Sequence, residues 1–100
     1  MVKRIVISEL VESFIYNSQG KIVNDIILEE LKKNNKVIVS LEKMEVVTSS
    51  FLNSAFIGIT DLYSFEHFKK SIIFTNGQPH VNNMIKDRIL YAYKNKECLT

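Results

Sequence analysis

A single cysteine, Cys98, stands near the end of the 100 residues, so no internal disulfide can form and no CxxC metal motif exists. A lone thiol fits a reducing compartment, and the expected location is the cytoplasm. His67, His80 and Cys98 are the only soft or borderline metal ligands, and no two of them stand three or four residues apart. No metal and no cofactor is therefore expected. With one proline and three glycines, the chain shows no linker, repeat or low-complexity tract. It also lacks a GxGxxG pattern and a P-loop lysine, which removes the common nucleotide motifs. Long apolar runs are missing too. The longest uncharged stretch, Val46 to Thr60, is broken by Thr, Ser, Asn and Gly, which excludes a membrane-spanning helix there.

Charge of one sign is also scarce. Thirteen basic residues face eleven acidic ones, for a net charge of +2. The lysines are scattered among acids, with no arginine cluster beside exposed aromatics, so a nucleic-acid partner is not expected. The opening "MVKRIVISEL" meets Glu9 and Glu12 too soon to be a secretion signal and reads as a first strand. A single domain over residues 1–100 is expected, of ordinary globular composition at 46% hydrophobic and 24% charged.

What is present is an alternation of periods. "KRIVISEL" is rich in β-branched residues, and "SFIYN" reads as a short second extended piece. From "NSQGK" onward, Ile22, Val23, Ile26, Ile27 and Leu31 recur at helical spacing, with the polar side chains mostly opposite. "KVIVSLEKME" carries a near-continuous apolar run and reads as a central strand covered on both faces. Leu52, Ala55, Phe56, Ile59 and Leu62 form a second helical stripe, and Gly58 within it marks close packing against a neighbour. "FEHFKK" reads as a short helical or irregular connection, and "SIIFTN" as a further buried strand. A last helix starts at Pro79, with Val81, Met84, Ile85, Ile89 and Ala92 facing the core. Tyr91 and Tyr93 point to different sides of it, leaving one for a partner or a second copy of the chain.

Strand and helix in alternation imply an α/β domain with a mostly parallel central sheet of about four strands and helices packed against it. In such a sheet every strand-to-helix junction lies beyond the carboxyl ends of the strands, where open α/β folds bind ligands. Three segments gather there: "YNSQGK", "VTSSF" and "TNGQPH". Asn76, Gly77 and His80 in the last form a candidate anion site. The middle one sets Thr48, Ser49 and Ser50 side by side. Either Thr48 or Ser49 only caps the helix, with Phe51 burying its ring under the sheet, or a hydroxyl there also carries or meets a phosphate. A Ser-His-Asp set from Ser49, His80 and Asp61 exists only on paper, with no nucleophile elbow, and no catalysis is expected.

"KVIVSLEKMEVVTSSFLNSAFIGI" resembles the central strand, loop and helix of STAS-like domains, relatives of bacterial anti-sigma-factor antagonists. In the antagonists a buried strand leads to an Asp-Ser-Ser/Thr-Gly-Leu motif that opens a helix, and a serine of the motif is phosphorylated by a histidine-kinase-like ATPase. Here Ser49 and Ser50 match the hydroxyl pair and Leu52 the leucine. Thr48 stands in place of the aspartate and Phe51 in place of the glycine. Phe51 and Asn53 suit the divergent STAS-like branch, which shows Ser-Ser-Phe followed by an acid or amide. The resemblance extends from "NSQGK" through "SIIFTN" to "VNNMIKDRILYAY". It implies a STAS-like fold and a regulatory interaction module, with Thr48, Ser49, Ser50, Phe51 and Asn53 contacting the partner. Ser49 and Ser50 are the phosphorylation candidates. The alternatives are a small-anion or nucleotide binder on the same edge, and a structural homodimer of a phage or mobile element.

Overall fold

The middle strand sets the frame. Val37, Ile38 and Val39 are β-branched and stiff at χ1, which suits a pleated surface. They form β2 (Lys36–Ser40) between β1 (Val2–Val6) and β3 (Ile72–Thr75). The sheet is parallel in the order β1-β2-β3, with Ile5 beside Val39 and Val39 beside Phe74. The computed structural model describes the backbone of residues 1–99 and the side chains of residues 1–94, so the side chain of Cys98 lies outside the described residues.

The sheet has three strands, not about four, and the difference arises near the start of the chain. "KRIVISEL" leaves the sheet after Val6 and makes one helical turn, α1 (Ile7–Leu10), that tucks Ile7 and Val11 into the core. "SFIYN" then runs as irregular chain into α2 (Asn17–Lys32) rather than pairing as a strand. Local β-propensity lost here to burial, because a turn at Ile7 hides more apolar surface than an extended edge would.

After β2 the chain winds from Ser49 to Thr60 as α3 (Ser49–Leu52), a π-helical segment (Asn53–Ile57) and α4 (Gly58–Thr60). The short α5 (Phe65–Ser71) then precedes β3, and the long α6 (Pro79–Leu99) follows it. Val23, Ile27 and Leu31 of α2 meet Phe51, Leu52, Ala55, Phe56 and Ile59 in a single core, closed by Val81, Ile85 and Ile89 of α6. Ile22 and Leu62, expected on apolar stripes, are exposed, while Met84 and Ala92 are half-buried.

The central strand is not covered on both faces. Arg4, Ile38 and Ile73 share the side opposite Ile5, Val39 and Phe74, and there Arg4 is exposed, Ile73 is 42% exposed and Ile38 half-buried. Strand order explains this. Right-handed crossovers that step twice in the same direction put both connecting helices on one face of the sheet. Helix α2 and residues 49–60 therefore pack on each other, and they approach closely at Gly20. A Cβ on Gly20 would lie 2.5 Å from the Phe51 carbonyl oxygen and 2.8 Å from Ser54 Cβ. Gly58, expected to be the close contact, is exposed and would meet only the Asn24 side chain at 3.6 Å. Asn24 reaches instead into the widened π turn, where its Nδ2 donates to the Ala55 carbonyl at 2.9 Å.

Candidate functional site

Thr48 ends the loop from β2 with an extended backbone (φ −100°, ψ 158°) and is the N-cap of α3. Its Oγ1 accepts from the Phe51 amide at 3.1 Å and donates to the Ile15 carbonyl at 2.6 Å. The Thr48 amide donates to the Phe14 carbonyl at 3.1 Å. One residue thus satisfies an orphan helix amide and fastens the β2–α3 junction to the β1–α2 junction. Losing an N-cap of this kind costs about 1 kcal/mol. The hydroxyl expected at a partner surface is occupied by the fold.

Phe51 follows the capping expectation and not the partner-contact one. It is fully buried, and its ring meets Phe14 edge-on with centroids 5.9 Å apart. Its side chain supports the helix start from beneath and offers no surface to a partner. A glycine here would leave that space unfilled, which is the physical reason for phenylalanine in this chain.

Between the cap and the buried ring lie Ser49 and Ser50. Ser50 and, one turn on, Asn53 are exposed, while Ser49 is half-buried. Arg88 Nη2 donates to Ser49 Oγ at 2.8 Å, and Met84, Asp87 and Tyr91 complete an open cleft of about 340 Å³ around that contact. Tyr91 is the exposed member of the tyrosine pair at 64%, whereas Tyr93 turns inward and donates its hydroxyl to the Tyr63 carbonyl at 2.9 Å.

Asn76, Gly77 and His80 occupy the same rim, and each makes a contact within the fold. Asn76, in the left-handed region at φ 59°, donates from Nδ2 to Ser40 Oγ at 3.1 Å. Asn82 Nδ2 donates to the Gly77 carbonyl at 3.2 Å. His80 Nε2 contacts the Glu45 carbonyl at 2.7 Å, a bond that requires the Nε2-protonated ring. His80 thereby ties the start of α6 to the loop that leads into Thr48. These contacts join the "TSS" and "NGQPH" segments at one edge.

Arg88 is the residue that sequence reasoning missed. A signal existed, because positions 84, 88 and 91 recur at helical i, i+4, i+7 spacing and line one stripe of α6. What periodicity could not supply was the docking angle that sets this stripe against Ser49. Among the described residues, no group of three or more His, Asp, Glu or Cys is placed to hold a metal ion. No described helix is long and apolar enough to cross a membrane.

A parallel α/β sheet with a hydroxyl-capped helix start at the carboxyl end of its central strand defines a small α/β domain with a rim site. The sequence comparison names the family. Residues 19–82 match the family described as a STAS-like domain of unknown function (DUF4325), and the chain belongs to that family. The match runs from α2 into the first turn of α6 and takes in all of residues 48–53. Neither a curated protein nor a solved structure matches the chain.

Proposed function

We propose that this protein is a non-enzymatic regulatory module of cytoplasmic signalling that binds another protein through the rim formed by Ser49, Ser50 and Asn53. Ser49 or Ser50 is the phosphoacceptor. The partner class drawn from the resemblance to anti-sigma-factor antagonists is a histidine-kinase-like ATPase. The observation that carries this reading is the division of labour in residues 48–51. Thr48 holds the cap and Phe51 the core, so neither serine is needed for those tasks and both stand at the outer edge.

A phosphate on either serine adds about −1.5 to −2 charges at neutral pH. The positive end of a helix accommodates negative charge, typically by about 0.3–1 kcal/mol at an exposed position. Arg88, already on Ser49, supplies a second counter-charge from α6. The fold therefore absorbs the phosphate, while a partner shaped to the neutral rim meets repulsion and a desolvation cost. Phosphorylation releases the partner without unfolding the domain. Incubation with a histidine-kinase-like ATPase and ATP, followed by mass spectrometry, tests this. Phosphate on Ser49 or Ser50 is the expected result, and no incorporation, or incorporation elsewhere, would overturn the switch.

The Arg88 guanidinium at an open cleft favours one second reading, a small-anion or nucleotide site at the same edge. Thermal shifts separate the two. Clear stabilisation by nucleotides or phosphorylated metabolites selects the anion binder, and no stabilisation selects the protein-binding module.

A further inference from the structure

A second cleft, independent of the serine rim, lies along the outer edge of β3 where α5 and α6 part. Its volume is about 400 Å³. Phe68, Ile72, Ile85 and Ile89 are buried at its base, while Phe65 and Leu90 stand 36% and 41% exposed at its sides. The polar lining is one-sided in charge. Lys69 comes from α5 and Lys86 from α6, both exposed, and no carboxylate lines the cleft. Lys69 Nζ lies 4.8 Å from the centroid of the Phe65 ring, which holds the ammonium at the apolar wall. Neither lysine is ion-paired among the described residues.

We propose that this cleft binds a medium-chain fatty acid, with the alkyl chain against the phenylalanine and isoleucine wall and the carboxylate between Lys69 and Lys86. An apolar slot flanked by two unpaired cations complements a molecule that is apolar along its length and singly anionic at one end. The volume falls at the small end of the about 300–1,000 Å³ usual for ligand pockets, which suits one alkyl chain. Strand addition by a peptide fits less well. β3 is only four residues long, and the amide of Ile72 is engaged by the Phe68 carbonyl.

The test is an NMR titration of the full chain with octanoate below its micelle concentration, with octanol as the uncharged match. Octanoate is expected to shift the amides of Phe65, Ile72, Ile85 and Leu90 and to bind about tenfold more tightly than octanol. Lys69→Gln with Lys86→Gln, two exposed positions that leave the core intact, is expected to erase that preference while octanol binding stays unchanged. Equal affinity for acid and alcohol would overturn the proposal. So would shifts centred on the Ser49 cleft, or shifts at β3 produced by an acidic amphipathic peptide and not by octanoate.

Discussion

Arg88 Nη2 donates to Ser49 Oγ at 2.8 Å, joining α6 to the first residue of α3 across 39 positions of sequence. A negative charge placed on residue 49 therefore meets a guanidinium already in position. Ser49→Asp should fold normally, and its stability should depend on Arg88. In a double-mutant cycle of Ser49→Asp with Arg88→Ala, a coupling of about 0.2–1 kcal/mol is expected, as for exposed ion pairs. It should shrink as salt is raised. Asp87, in the same cleft, opposes the new charge, so Asp87→Asn should raise the stability of Ser49→Asp. Zero coupling in denaturant unfolding would show that Arg88 does not receive charge at residue 49.

The two helical glycines should respond in opposite directions to the same substitution. Gly20→Ala drives a methyl group into the Phe51 carbonyl oxygen, 2.5 Å away, and into residues that cannot retreat. Overpacking of this kind costs about 1–3 kcal/mol, more than alanine's helix preference returns. Gly58, at φ −59° and ψ −29°, has ordinary helical geometry and room for a Cβ. Gly58→Ala should stabilise the protein by about 0.4–1 kcal/mol, chiefly by restricting the unfolded chain. Unfolding midpoints of the two variants decide the matter, and shifts of the same sign would contradict the packing described.

Burial, reinforced by the negative charge of Asp61, pushes the Tyr93 phenol from 10.0 up to about 12. The folded state thus favours the neutral ring, whose hydroxyl donates to the Tyr63 carbonyl. The resulting stabilisation is fully present below pH 10 and is lost as pH rises from there through about 12. Tyr93→Phe should lose about 0.5–1.5 kcal/mol at neutral pH with its hydrogen bond. The gap between wild type and variant should then close over that alkaline window. A gap independent of pH would show that Tyr93 is not held neutral by the fold.

The elements legible in the sequence were those where local preference and burial agree. "KVIVS" is β-branched and central, and the stripe Val23, Ile27, Leu31 is helical and buried, so both read correctly. "ISEL" failed because β-branched composition points to a strand while Ile7 gains more by turning inward. The open face beside Ile38 follows from strand order, a long-range property that no window of sequence contains. The site divides in the same way. Thr48 was legible because capping is local chemistry. Arg88 was not, because its contact depends on how α6 crosses α3. Phe51 read two ways, as a buried ring if the hydroxyls only cap and as a partner contact by its motif position, and burial is the outcome.

Affinity capture on wild type, Ser49→Asp and Ser50→Asp, all three shown to be folded, puts the rim to the test. Wild type should retain a protein partner that at least one aspartate variant loses. Equal recovery of the same partners by all three would contradict it.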